Sequence, residues 1–221
     1  MDLANKVADM TTPLNGSITL GQAPGTVDEI VRIADGAPIA LEAALDNMAR
    51  VSSRIQRAIE QGQIIYGLTT GVGDLVTTRL SPDRMTDTQL NMLRSHACGV
   101  GPDLTVREVR AMMAVTLKSL LQGYSGVTPA LAQRIADMLT RQVTPWSPAG
   151  GSVGYLIATA HIGLAVFGEG KCWYQGELLP AQQALTRAGI PPYVPGPREG
   201  HALVGGTYEI TALGCLAGLL L

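Results

Sequence analysis

Charge is scarce in this 221-residue chain: only 15% of residues are Asp, Glu, Lys or Arg, and 16 basic against 18 acidic side chains leave a net charge of −2. No block of Lys and Arg occurs, so the clustered cations whose counterion release drives nucleic-acid binding are missing. Aromatic residues are 4% of the chain, with a single Phe. A core built instead from Leu, Ile, Val, Met and Ala favours closely approaching helices over an aromatic-rich sandwich. Cys98, Cys172 and Cys215 are too few and too scattered for a disulfide framework, and they lack metal-ligand spacing. No apolar run reaches the ~18–20 residues needed to span a bilayer. The first dozen residues carry Asp2, Lys6 and Asp9 with no continuous apolar stretch, so no secretory signal is visible and a cytoplasmic protein is expected.

Familiar motifs are missing as well. No Gly-Lys-Ser/Thr run follows a phosphate-loop glycine, and nothing matches a dinucleotide fingerprint between a strand and a helix. There is no Gly-x-Ser-x-Gly elbow, and the three histidines lack spacing suited to zinc.

What the chain has is helical patterning broken by glycine-rich loops. Ser17 to Leu20 alternates like a short strand. Thr26-Val27-Asp28-Glu29 is a capping box that opens a helix ended by Gly36. The spacing of Leu41, Ala44, Leu45, Met48, Val51, Ile55 and Ile59 predicts a second helix from about Ile39 to Glu60. Others are expected from near Thr86 to His96, from a second capping box at Thr105–Glu108 to about Gln122, and from Thr128-Pro129 to about Gln142. Pro145 to Gly154 reads as a loop, and Leu156 to Phe167 as an almost wholly apolar helix. Lys171 to Gly176 suits a hairpin, Pro180 to Ala188 a short helix, and Pro191 to Gly206 another loop. From Thr207 an apolar helix runs to Leu219-Leu220-Leu221 with no cap or polar tail, which leads us to expect a chain that is part of something longer or is completed by another polypeptide. The class is mainly α, a long helical bundle with functional loops.

Three glycine-rich segments stand out, at 66–73, 94–101 and 150–155. Tyr66-Gly67-x-x-Thr70-Gly71-x-Gly73, Arg94-Ser95-His96-Ala97-x-Gly99-x-Gly101 and Gly123-Tyr124-Ser125-Gly126-Val127 resemble blocks of the aromatic amino acid ammonia-lyase and aminomutase family. So do Gly151-Ser152-Val153-Gly154, Ala160-His161, Gly168-Glu169-Gly170 and Arg198-Glu199-Gly200-x-Ala202-Leu203. Each block alone is weak. All of them in the family's order, from about residue 26 to the end, make a strong resemblance to its N-terminal half.

The resemblance implies an α-helical homotetramer that acts on an amino acid, with no nucleic acid or membrane as partner. It also implies an electrophile made from the chain itself. An Ala-Ser-Gly tripeptide after Gly-Ser-Val-Gly cyclises and loses two waters to give a 4-methylidene-imidazol-5-one, whose electron-poor methylene accepts the substrate amine. A tyrosine then removes the β-proton, and ammonia leaves or is re-added at the β-carbon. By this resemblance Tyr66 is the base. A phenol that ordinarily titrates near pH ~10 needs neighbours or backbone dipoles to serve near neutrality. Gly71 and Gly73 would let the backbone approach the substrate, and Ser95-His96 lies where the family sets side-chain selectivity.

The departures are specific. Gly154 is followed at once by Tyr155, where the family has Ala-Ser-Gly-Asp. Either the tripeptide exists as one cyclised residue that a one-letter string omits, or the loop is shortened and the electrophile is not made. Both flanks align while exactly the ring-forming residues are missing, which favours the first. Gly154 and Tyr155 therefore flank the expected electrophile. Tyr155 stands in place of an aspartate and Gly205 in place of an asparagine, both implicated by the resemblance in forming or polarising the ring, and Val72 replaces the usual Phe. A catalytically inactive relative acting as a scaffold or regulatory subunit is the rival reading. His161 is expected to be a buried, hydrogen-bonded histidine and Cys98 a packed small residue. His201, at a position normally Leu, is assigned no role. Arg198-Glu199 reads equally as a local ion pair or a site element.

Overall fold

The computed structural model describes residues 16–42, 45–151 and 156–218. It is mainly α, and its strands are short. Strand β1 (Ile18–Leu20) leads to helix α1 (Val27–Ala34), β2 (Ile39–Leu41) and α2 (Asp46–Glu60). After a loop with a 3₁₀ turn at Gly73–Leu75 come α3 (Pro82–His96), β3 (Val100–Asp103), α4 (Val106–Leu121) and α5 (Pro129–Thr140). Then follow β4 (Thr144–Pro145), β5 (Pro148–Gly150), α6 (Leu156–Val166), β6 (Lys171–Tyr174) and β7 (Glu177–Pro180). The described chain closes with α7 (Ala181–Arg187), α8 (Glu199–Val204) and α9 (Tyr208–Ala217).

Both capping boxes form as the sequence requires. The Thr26 hydroxyl accepts from Glu29 N–H while Glu29 accepts from Thr26 N–H, and Thr105 and Glu108 repeat the exchange. Thr128 caps α5 ahead of Pro129. The helix expected from Ile39 starts instead at Asp46, because Ile39–Leu41 pairs in parallel with Ile18–Leu20. Three β-branched or aliphatic residues that fit a helical face equally fit a strand, and the partner strand decides. Two expected loops are also partly ordered. Val100–Asp103 pairs antiparallel with Pro148–Gly150, and Glu199–Val204 is helical. A hairpin forms where one was expected at Lys171 to Gly176, but its second strand runs on to Pro180.

Helix α4 is the axis of the core. It is buried on almost every side, with Val109, Met112, Met113, Leu117, Leu120 and Leu121 at 1% exposure or less, and packs against α1, α5, α6 and α9. Arg110 also lies inside. Its Nε and Nη2 donate to the Ile33 carbonyl and its Nη1 to the Leu139 carbonyl at 3.0 Å, with Nε also reaching Ala34. One guanidinium thus serves the C-terminal carbonyls of both α1 and α5, where the helix dipoles favour a cation. Beside this core, α3, α6 and α8 pack on one another. A Cβ at Gly200 would stand 2.4 Å from the Gln89 carbonyl, so α8 approaches α3 as closely as only glycine permits. Among the described residues, no helix is long and apolar enough to cross a membrane.

Candidate active site

The motif segments converge on the α3–α6–α8 face. The loop after α2 is pinned by Thr69, whose hydroxyl accepts from Ile65 N–H at 2.8 Å and donates to the Gln63 carbonyl at 2.7 Å. Leu80 N–H donates back to the Thr69 carbonyl at 2.9 Å and closes the loop's far end. Within it Tyr66 is half exposed (52%), and its Oη accepts from Gly73 N–H at 3.2 Å. Gly67 takes φ +64°, and a Cβ there would meet His201 Nδ1 at 3.0 Å and Val72 Cγ1 at 3.2 Å. The Tyr66 and His201 rings stand edge to face, 6.4 Å between centroids and 87° between planes.

Ser95 and His96 end α3. The Ser95 hydroxyl donates to the Met92 carbonyl at 2.8 Å, and His96 Nδ1 lies 2.8 Å from the same oxygen. A carbonyl only accepts, so Nδ1 carries the hydrogen and Nε2 is left for a ligand. Both residues line a cleft of about 370 Å³ whose other walls include Val72, Leu75, Arg84 and Asn91. Tyr66 does not line the cleft itself; it is tied to the cleft's loop through the Gly73 bond. A hollow of similar size, about 360 Å³, at Leu41, Asp46, Pro129 and Gln133 touches none of the motif residues.

Gly154 and Tyr155 lie outside the described residues, so the seam is placed by its flanks. Val100 pairs with Gly150, and a Cβ on Gly99 would clash with Pro148, Ile157 and the Gly150 carbonyl. The stretch just past Ser95-His96 therefore packs on both sides of the seam. Gly99 N–H donates to His161 Nε2 at 3.3 Å, and Trp146 stands edge-on to that imidazole. His161 is thus a half-buried histidine that holds this loop, and burial lowers its pKa from the usual value. Its packed, hydrogen-bonded role is as expected. Arg94 and Glu169, from two of the motif blocks, are joined by a bidentate ion pair, with Arg94 Nε 2.9 Å from Glu169 Oε2.

Helix α6 is described from Leu156 onward, and the residues before it back to Ser152 lie outside the described chain. The Ala-Ser-Gly that would make the ring is not written between Gly154 and Tyr155.

Gly205 caps α8 with φ −80°, a conformation open to any residue, so its lack of a side chain is not a backbone requirement. The Arg198-Glu199 pair separates. Glu199 is fully buried and accepts from Thr128 N–H and hydroxyl, the Tyr193 hydroxyl and Gly196 N–H. It is a structural anchor of α8. Arg198 caps the helix in the left-handed region (φ +67°), with its Nε buried and unpaired. Cys98 is exposed rather than packed, because β3 draws the chain away from the core just beyond it. Sequence reasoning passed over His201. The available signal was an imidazole in an otherwise apolar register, four residues before Gly205.

Fold and site together define a mainly helical scaffold whose glycine-rich loops gather on the α3–α6–α8 face. The aromatic amino acid lyase family profile matches residues 26–219, and the chain belongs to that family. It is 41% identical over 201 residues to a histidine ammonia-lyase of Geobacillus thermodenitrificans, covering 88% of this chain and 40% of that protein. Among solved structures it superimposes on tyrosine aminomutase of Streptomyces globisporus with TM-score 0.85 at 32% identity, covering 91% of this chain and 39% of the other. Phenylalanine aminomutase of Pantoea agglomerans gives TM-score 0.86 at 28% identity, covering 90% and 40%. The chain spans about two-fifths of the length of the relatives it matches.

Proposed function

We propose that this chain is the N-terminal part of an ammonia-lyase or 2,3-aminomutase acting on an aromatic or histidine-like amino acid, with Tyr66 as general base. The observation that carries the reading is convergence. Tyr66 stands edge to face with His201, one helical turn before Gly205, and its loop shares the wall of the Ser95-His96 cleft through Val72. When present, a methylidene-imidazolone there supplies an electron-poor methylene for the substrate amine.

The chain's own residues would do the rest. Tyr66 Oη would take the β-proton, and the Gly73 N–H that donates to that oxygen would position it for the transfer. His96 would offer Nε2 to the substrate side chain from the cleft wall, its ring fixed by the Met92 carbonyl. The apolar Val72 and Leu75 would keep water from the reacting carbon. Several apolar side chains stand uncovered, among them Leu75 (61%) and Val100 (67%), which suits assembly into a homotetramer. The sparse charge and small-molecule chemistry suit the cytoplasm.

A second reading has its own support: Gly154 joins Tyr155 directly in the sequence, so a scaffold or regulatory subunit without the ring fits that junction. Intact mass separates the two. A gain equal to dehydrated Ala-Ser-Gly over the written chain, with a near-ultraviolet band lost after borohydride, is expected for the enzyme. No gain and no band would leave the scaffold.

A further inference from the structure

We propose that His201 gives this site a hydrogen-bond donor, its Nε2–H, presented over Gly205 to a carboxylate oxygen of the bound amino acid. The inference rests on reading the Tyr66 face as the substrate site. Its support is local geometry. His201 and Gly205 are four residues apart on α8, with Gly205 N–H donating to the His201 carbonyl at 2.9 Å. Residues so spaced share one helix face. A Cβ at Gly205 would stand 3.6 Å from His201 Cδ2 and 3.8 Å from Nε2. The glycine therefore uncovers the outer edge of the imidazole, and a side chain at 205 would cover it.

The opposite edge is closed. Nδ1 is buried without a hydrogen-bond partner, against the backbone of Gly67. An orphaned buried N–H is rarer and harder to accommodate than an under-used lone pair, which puts the hydrogen on Nε2. Burial and then the Arg198 guanidinium lower the His201 pKa from its usual value, so the neutral ring has this one N–H to give. The groups facing it are Arg198 on its own helix, the Tyr66 phenol on the loop, and the uncharged Gln89 on α3, which accepts from His201 N–H at 3.0 Å. Glu199 is turned away into its own cluster. A neutral donor with a cation near it and no acceptor of its own suits an anionic oxygen.

The family resemblance puts an asparagine at 205 and a leucine at 201. Here the polar group has moved back one helical turn. The swap predicts reciprocity between the two positions, which a merely structural histidine would not show.

The test uses nitrogen-resolved NMR of the histidines and binding of 3-phenylpropionate against 3-phenylpropan-1-ol. Expected are an Nε2–H tautomer for His201 and carboxylate binding weakened about tenfold in His201→Leu with the alcohol unchanged. The double variant His201→Leu/Gly205→Asn should regain most of that affinity. An Nδ1–H tautomer overturns the assignment, as does a carboxylate bound equally by wild type and His201→Leu, or not bound by wild type at all. The tautomer is read on the wild type, so a misfolded variant does not shield the proposal. None of these readouts needs the ring, and intact mass on the same samples reports failure of the lyase reading separately.

Discussion

The interior around α4 and the face around Tyr66 treat polar groups in opposite ways. Inside, Arg110 gives its hydrogens to the carbonyls of Ile33, Ala34 and Leu139, and Lys118 to those of Gly21 and Ala23. Burial pulls the Arg110 guanidinium down to about 10, which still leaves it charged at neutral pH. On the Tyr66 face, Arg198 Nε and His201 Nδ1 have no partner, and Tyr66 and Leu75 stand open. Arg134 is intermediate: it donates to the Val166 and Pro191 carbonyls and lies over the Tyr193 ring, yet its Nη2 is unpaired. Burying an unpaired polar atom costs about 1–3 kcal/mol. The core avoids that cost at its axis, and the other face carries it at Arg198 Nε and His201 Nδ1.

By that contrast, substitutions on the two sides should separate chemistry from stability. Tyr66→Phe is expected to lower turnover about 10³-fold, the scale of a lost general base, while shifting stability by less than about 1 kcal/mol. Its fold loses one half-exposed hydrogen bond, from Gly73. Steady-state rates beside urea midpoints would show it, and near-normal turnover would remove Tyr66 from the chemistry.

Arg110→Met should do the reverse. It removes the Arg110 bonds to the Ile33, Ala34 and Leu139 carbonyls; Ile33 and Leu139 keep the N–H groups of Gly36 and Gln142, so the loss should be about 2–3 kcal/mol. Arg110→Lys, keeping the charge but fewer donors, should lose roughly half as much, which keeps the test readable if the methionine variant fails to fold. Glu199→Gln probes the boundary between the two regions. A carboxamide has one acceptor oxygen where the Thr128, Tyr193 and Gly196 donors meet, so about 2 kcal/mol should be lost. The loss should also loosen α8, and with it the edge-to-face contact of His201 on Tyr66.

The sequence was most legible where chemistry is local. Both capping boxes, the Thr128-Pro129 helix start and the hairpin from Lys171 follow from a few adjacent residues. It was least legible where a distant partner decides. Ile39–Leu41 becomes a strand because Ile18–Leu20 lies beside it, and Val100–Asp103 because Pro148–Gly150 does. Of the site, Tyr66 and Ser95-His96 were readable as motif positions; Ser95 and His96 line the cleft, and Tyr66 does not. The buried anchor role of Glu199 and the place of His201 were not, since both depend on what α3 and the Tyr66 loop bring to α8.

The smallest expected effect is a pH slope, and it falls on the open face alone. Burial lowers the His161 pKa, and burial with Arg198 lowers that of His201, both from their usual values. Above the ordinary imidazole range both are neutral in folded and unfolded chains, and neither affects stability. On acidification the unfolded chain binds its protons first, so stability falls as pH drops through that range. His161 adds a direct cost, because a protonated Nε2 no longer accepts from Gly99 N–H, the bond that holds the loop beside the seam. Glu209, whose carboxyl burial pushes upward, works with the opposite sign at the acidic end, so the comparison belongs between about pH 7.5 and 6. His161→Gln keeps an acceptor for Gly99 and does not titrate, and should flatten the slope of urea midpoint against pH. Arg110→Lys should lower the whole curve and leave its slope alone. A slope unchanged by His161→Gln would mean that the open face carries no pH-sensitive bond, and the contrast between the two regions would then rest on unpaired atoms alone.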